Sequence, residues 1–186
     1  MNAPCASLEQ RYREAHRRYH TLAHIEACLG LLEQVEGLSA EDRRILEYAI
    51  WWHDAVYDPA RSDNEEQSAI LARQDLSELG CSDDVREEAA RLILLTKGHR
   101  VEPGDRLGAL LVSIDLSILG AELVDYEVYS AQIREEYAFV PDAAFRTDRA
   151  AVLKYILEAP VIFPDPVFRS RFEAQARKNL QREIDA

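Results

Sequence analysis

The chain has 186 residues, which is enough for one domain with a hydrophobic core of its own. Its composition, 47% apolar and 30% charged, excludes a disordered chain, and no apolar run approaches the roughly 20 residues that cross a bilayer. The net charge of −12 repels a phosphate backbone, so we expect no large nucleic acid as partner. A small phosphorylated substrate stays open, because a bound metal and local arginines can reverse the field in one cleft.

Helical periodicity runs through the chain, and most glycines and prolines fall between the periodic segments. We expect helices near 8–16, 19–35, 39–54, 64–80, 83–96, 106–119 and 121–139, and two more punctuated by Pro141 and Pro164. Ser39 is predicted to cap its helix, with Asp42 as its partner three residues later. The pattern predicts an all-α fold of about eight or nine helices in a single domain over residues 1–186.

The start of the chain, MNAPCASLEQRYREAH, lacks the basic and apolar regions of a secretory signal, so we expect a cytoplasmic protein. The cysteines are Cys5, Cys28 and Cys81, which lie far apart and form no C-x-x-C pair. This spacing predicts reduced thiols rather than a disulfide frame or a zinc site.

Two of the five histidines, His20 and His24, lie four residues apart in the segment YHTLAH. On a helix this spacing places both imidazoles on one face, about one turn apart. One metal ion could bind both rings, or one ring could bind the metal while the other moves protons. The alternative is a pair of partly exposed helix histidines without a ligand.

A second pair, His53 and Asp54, directly follows the very apolar segment 45–52. A carboxylate at the end of such a helix needs a partner, because burying an unpaired charge is costly. A metal ion is one candidate partner. Alternatively, Asp54 accepts hydrogen bonds where the chain leaves the helix.

Asp115 is the one ionisable residue in the apolar segment 109–119, and no Lys or Arg lies near it in sequence. Buried acids of this kind are normally paired, protonated or bound to a metal. The sequence therefore favours a ligand role over a salt bridge for Asp115.

These residues occur in the order H…HD…D, which resembles the HD superfamily of metal-dependent phosphohydrolases. The segments RRYHTLAHI, WWHDAVYDP, DNEEQSA, SIDLSILG and IREEYAFVPDAAFRTDR resemble a bacterial family of predicted HD phosphohydrolases over nearly the whole chain. The resemblance implies a helical bundle that presents His24, His53, Asp54 and Asp115 to one metal. We expect the metal to be one of the divalent ions Mn, Fe, Co, Ni, Zn and Mg.

The segment around His20 is also similar to one in the cyclic-nucleotide phosphodiesterases, where a first histidine donates a proton and a second binds metal. Thr21 stands where those enzymes have Asn. The similarity implies that His20 is the general acid, and the HD resemblance implies that Asp54 takes part in catalysis. HD-type oxygenases need more histidines before Asp115, and only His99 stands in that interval, so a second metal stays uncertain.

Five further residues are candidates for binding substrate: His99, Asn64, Glu65, Arg134 and Arg149. The arginines could grip a phosphate in a bidentate manner, although solvated helix arginines are the default. The helix dipole alone explains an acidic residue such as Glu65 in a first turn. His99 could equally be an ordinary loop histidine.

The expected function is hydrolysis of a phosphate ester in a small phosphorylated metabolite or nucleotide, with metal-activated water as the nucleophile. The alternatives are a non-catalytic module that binds metal and nucleotide, and an HD-type oxygenase. The sequence is also compatible with a homodimer.

Overall fold

The computed structural model describes residues 6–186, which form nine α-helices, one 3₁₀ segment and no strand. The helices are α1 (Ala6–Arg11), α2 (Leu22–Glu33), α3 (Ala40–Trp52), α4 (Asn64–Glu78), α5 (Asp83–Leu95), α6 (Arg106–Asp115), α7 (Leu123–Glu136), α8 (Asp142–Leu157) and α9 (Pro166–Asp185). The 3₁₀ segment, Leu116–Gly120, follows α6 directly. The prediction of an all-α fold is confirmed.

The predicted helix ends agree best with the structure where a capping side chain or a glycine marks them. The Ser39 hydroxyl accepts a hydrogen bond from the backbone N–H of Asp42 at 3.0 Å, as its position before α3 predicts. Gly80, just past the end of α4, takes a left-handed φ of +76° that glycine adopts without strain. The Asp165 carboxylate caps α9 in the same way as Ser39 caps α3.

The first two helices are shorter than the periodicity predicts. Helix α1 ends at Arg11 instead of near residue 16, and α2 begins at Leu22 instead of near residue 19. Thr21 is extended, with φ −112° and ψ 179°, so the chain enters α2 only after His20. Local turns replace the helix here: the N–H of Arg13 donates to the Gln10 carbonyl at 3.1 Å, and that of Thr21 donates to the Tyr19 carbonyl at 2.7 Å. Apolar periodicity does not distinguish such turns from helix.

The chain divides into two compact units, Met1–Val112 and Ser113–Ala186. The border falls inside α6, so its last three residues, which end in Asp115, count with the second unit. The single domain over residues 1–186 stays a prediction.

Helix α3 is the centre of the first unit, where it packs against α2, α4 and α5. Leu46, Ala49 and Ile50 are fully buried along it. Trp52, its last residue, is also buried, and its indole N–H donates to the Asp75 carboxylate at 2.9 Å. Burial of this ring and pairing of its polar edge anchor the end of α3, directly before His53.

In the second unit, the 3₁₀ segment packs against α9, and α8 packs against α9 as well. Gly120 permits the first contact, since a Cβ at this position would lie 2.6 Å from the side chain of Phe172. The buried amide of Asn179 donates to the carbonyls of Leu119 and Ala121, each at 2.9 Å. The 3₁₀ segment that follows Asp115 is therefore fixed by α9.

Two other sequence expectations can be placed on the structure. Within residues 6–186, no single helix is long and apolar enough to cross a membrane, and only a bent pair, 106–120 with 123–136, reaches the required length and composition. Cys28 and Cys81 are free thiols, whereas Cys5 lies outside the described residues.

We predict that Gly120→Ala lowers the free energy of unfolding by about 1–3 kcal/mol, because the new methyl overlaps Phe172. Gly30→Ala is the matched control, since nothing lies within 4 Å of a Cβ added there in α2. It should raise stability by up to about 1 kcal/mol, because alanine favours helix over glycine. Urea unfolding followed by circular dichroism measures both, and equal midpoints for Gly120→Ala and wild type would contradict the close approach.

Candidate metal centre

Both the backbone and the ring of His53 bond to carbonyls in the last turn of helix α3. Its backbone N–H donates to the carbonyl of Ala49 at 2.9 Å, and its Nδ1 lies 2.9 Å from the carbonyl oxygen of Ile50. A carbonyl oxygen can only accept, so Nδ1 carries a proton, and Nε2 is the ring nitrogen that would bind a metal after losing any proton of its own. The helix end thus fixes which nitrogen of His53 is available to a metal.

The remaining carbonyls at the end of α3 also have donors. The Trp51 carbonyl accepts from the Tyr12 hydroxyl at 2.7 Å, and the Trp52 carbonyl accepts from the Ala55 backbone N–H at 3.0 Å. Because the last four carbonyls of a helix lack partners within the helix, these bonds complete its pairing. The turn that carries His53 and Asp54 is therefore held in place by these hydrogen bonds.

His24 on α2, His53 and Asp54 bring three potential ligand atoms together. The two Nε2 atoms are 3.2 Å apart, and Oδ2 of Asp54 lies 3.1 Å from Nε2 of His53 and 3.7 Å from Nε2 of His24. Both rings are almost fully buried, with 6% of His24 and 2% of His53 exposed. Packing of α2 against α3 thus brings two predicted ligands, 29 residues apart, into direct contact.

Asp115, the last residue of α6, counts with the second unit, so its part in the metal centre stays a prediction. Within the first unit, His24, His53 and Asp54 offer two imidazole nitrogens and a carboxylate that could hold a metal ion. Imidazole nitrogens and carboxylate oxygens together suit divalent ions such as Mn, Fe, Co, Ni and Zn. The donor set therefore fits the type of ion that the sequence predicts.

The charges around Asp54 favour its ionised form. Burial raises the pKa of the Asp54 carboxyl, but the charges of His53, His20 and His24 and a hydrogen bond from His53 lower it further, so it ends well below its usual value. The carboxylate therefore stays ionised at neutral pH, as a metal ligand must.

His20 does not share a helical face with His24, because it precedes α2. Its ring stacks on Tyr57, with centroids 4.2 Å apart and planes at 30°, while the centroids of the His20 and His24 rings are 6.1 Å apart. His20 nevertheless lies close enough to lower the pKa of Asp54. The predicted proton donor is thus beside the predicted ligands, on a bent segment and not on a helix.

Sequence reasoning missed Arg17 and Cys28. Arg17 is buried and donates to the carbonyls of His20 and Asp54, although an arginine in this segment is solvated by default. The only sequence signal is its place in RRYHTLAHI. Cys28 lies one turn beyond His24 on α2, with its sulfur 3.8 Å from both ring nitrogens.

Three of the predicted substrate residues lie in or beside loops of the first unit. The Asn64 amide bonds both backbone groups of Asp58, at 3.1 and 2.9 Å, so it stabilises the loop before α4. Glu65 is partly buried in the first turn of α4. His99 has a left-handed φ of +52°, a conformation that costs about 1–3 kcal/mol outside glycine. None of the three belongs to the group of potential ligands around His24 and His53.

Arg134 and Arg149 line a cavity of about 580 Å³ that lies within the second unit. Arg134 connects the end of α7 to the start of α8. It donates to the carbonyls of Tyr137 at 2.7 Å and Val140 at 2.9 Å, and it pairs with Asp142. These bonds give Arg134 a structural role.

Arg149 forms the centre of a buried polar cluster. Its Nε donates to the Glu183 carboxylate at 2.8 Å and its Nη2 to the Tyr129 hydroxyl at 3.2 Å, while Tyr126 donates to Glu183 as well. Burial raises the pKa of Glu183, but the hydrogen bonds and charge of Arg149 lower it further, so it ends below its usual value. The guanidinium is thus paired within the second unit.

Comparison of the chain with protein-family models, with characterised proteins and with solved structures found no match.

We predict that Glu183→Gln lowers the free energy of unfolding by about 1–3 kcal/mol at neutral pH, because it leaves buried Arg149 without its anion. A carboxyl with a depressed pKa stabilises the fold above its unfolded pKa of about 4.3, and this contribution is lost as pH falls through the folded value. The stabilities of variant and wild type should therefore converge below about pH 4.

Asp142→Asn is the control for Glu183→Gln, because its carboxylate is 75% exposed and solvent screening leaves its pair with Arg134 little effect on stability. Denaturant unfolding between pH 3 and 8 measures all three proteins. A stability gap between Glu183→Gln and wild type that does not change with pH would contradict the assignment.

Proposed function

We propose that this chain is a metal-dependent phosphohydrolase that cleaves a phosphate ester in a small phosphorylated metabolite or nucleotide. The observation that carries the proposal is the 3.2 Å separation between the Nε2 atoms of buried His24 and His53, beside the Asp54 carboxylate. Two imidazole nitrogens at this distance need a proton or a cation between them. A divalent ion can replace the proton, because metal binding to histidine releases protons.

In this proposal, His24, His53, Asp54 and Asp115 hold one divalent ion. A bound ion of this type lowers the pKa of its water and neutralises charge on the phosphoryl group. Asp54 supplies a carboxylate that stays ionised at neutral pH. His20, whose ring is stacked on Tyr57, donates a proton to the leaving oxygen.

One sequence feature supports phosphate esters as the substrate class: the order H…HD…D, carried by His24, His53, Asp54 and Asp115, resembles that of the HD phosphohydrolases. The net charge of −12 repels an anionic substrate, but a bound cation can reverse the field in the binding cleft. A small phosphate ester that contacts the metal directly is therefore compatible with the acidic chain.

We predict that wild-type protein purified without chelator contains about one divalent transition metal per chain, and that His53→Ala and Asp54→Ala lose it. Each variant removes a ligand atom within 3.2 Å of another. His99→Ala is the matched control, because His99 lies outside the group of potential ligands. Elemental analysis measures the metal, and circular dichroism checks that the helices persist.

Hydrolysis of phosphate mono- and diesters by the metal-loaded protein tests the activity itself. Product formation by wild type and none by Asp54→Ala is the expected result. Saturable binding of nucleotides without product would instead indicate a binding module, and two iron atoms per chain would favour an oxygenase. Wild-type protein that takes up none of Mn, Fe, Co, Ni, Zn or Mg would contradict the proposal.

We predict that His20→Gln keeps the metal but loses turnover by about 10²–10⁴-fold on substrates with a poor leaving group, because general acid catalysis contributes this much. Phenyl phosphate has such a leaving group, whereas p-nitrophenyl phosphate releases a stable anion that needs little protonation. The loss should therefore be much smaller for the nitrophenyl ester. Equal losses on both esters would exclude His20 as the proton donor.

A further inference from the structure

Arg17 is a buried arginine that bridges the two segments of the proposed metal site. Its side chain is fully excluded from solvent. One terminal nitrogen, Nη1, donates to the carbonyls of His20 at 3.0 Å and Asp54 at 2.8 Å, and Nη2 donates to the carbonyl of Ala55 at 3.3 Å. A single guanidinium therefore connects the predicted proton donor to a predicted ligand 34 residues later.

The surroundings of Arg17 hold its guanidinium in place. Its central carbon lies 5.2 Å from the ring centre of Tyr12 and 5.3 Å from that of Tyr57. Its Nε donates to Glu14 at 3.0 Å. Tyr57 also stacks on His20, and Tyr12 also bonds the end of α3, so both rings connect Arg17 to the same two segments.

The chemistry of these contacts requires arginine. Its planar fork can donate to several carbonyls at once while its faces lie against aromatic rings, whereas lysine offers one compact ammonium. Apart from the Glu14 carboxylate, its three acceptors are main-chain carbonyls, so Arg17 sets the position of the backbone at His20, Asp54 and Ala55. Burying a cation is costly unless its donors are paired, so these hydrogen bonds hold the Arg17 guanidinium in its buried position.

We propose that Arg17 is a positioning residue of this centre, which fixes the segment of His20 against the turn of His53 and Asp54. It touches no potential ligand atom and acts through the main chain. The role in metal binding rests on the proposed function, but the geometric role does not. Loss of Arg17 should therefore disturb the His20 and His53 rings first, and metal affinity as a result.

Arg17→Lys and Arg17→Met test this proposal, with Arg18→Met as the matched control. Arg18 is exposed, and its Nη1 donates to the nearby carbonyls of Ala15 at 2.7 Å and Arg17 at 2.9 Å. The first readout needs no metal: NMR correlations of the histidine ring nitrogens in the metal-free protein. We expect the His20 and His53 signals to move in both Arg17 variants while the His99 signal and the Arg18 control stay unchanged.

The second readout is titration with Co²⁺, followed by visible absorption. Arg17→Lys should bind Co²⁺ at least about tenfold more weakly than wild type, with an altered spectrum, since losing a group that orients ligands typically costs 10–100-fold. Circular dichroism must show wild-type helix content. Arg18→Met should match wild type in both affinity and spectrum.

The two readouts separate the positioning role from the metal site. If wild type binds no metal but the ring signals move, the proposed function fails and the positioning role stands. Unmoved His20 and His53 signals in a folded Arg17 variant overturn the positioning role, whatever the metal does. If neither Arg17 variant folds, Glu14→Gln is measured instead. Glu14 is 40% exposed, and this variant removes its ion pair with Arg17. Unmoved His20 and His53 signals overturn the proposal in the same way.

Discussion

The pairing of backbone carbonyls at the end of helix α3 is the constraint on which the candidate metal centre depends. A helix that ends inside a protein leaves carbonyls that must find donors, because an unpaired buried carbonyl is costly. Here the donors are the His53 ring, the Tyr12 hydroxyl and, just beyond the helix, Arg17. The same bonds that satisfy the helix end orient His53 and fix the turn of Asp54. Stability and site geometry are therefore inseparable at this point of the fold.

The sequence predicts much of this arrangement because polar residues stand out in apolar surroundings. Helical periodicity was sufficient for the fold class and for most helix positions after residue 39. His53 follows one apolar helix and Asp115 ends another, and the structure brings the ring nitrogens of His53 and His24 within 3.2 Å of each other. The sequence alone identifies these residues, because burying an unpaired polar group is costly and a polar residue in an apolar segment therefore indicates a partner.

What the sequence could not predict depends on partners far along the chain. His20 lies outside α2 because Arg17 and the turn at Thr21 hold its backbone, which periodicity cannot register. Burial of Arg17 requires carbonyls 37 and 38 residues away. Arg149 likewise finds Glu183 at a separation of 34 residues. In each case a side chain that is solvated by default is paired by tertiary contact, and sequence spacing carries no sign of it.

The two tryptophans of the chain, Trp51 and Trp52, are the last residues of α3, directly before His53. Both are buried, and the carbonyl of each is bonded by the residues that fix the turn. Indole emission depends on the polarity and contacts of its surroundings. The tryptophan fluorescence of this protein therefore arises at the edge of the candidate centre, and it can report events there without a label. The second unit contains no tryptophan, so it contributes no indole emission of its own.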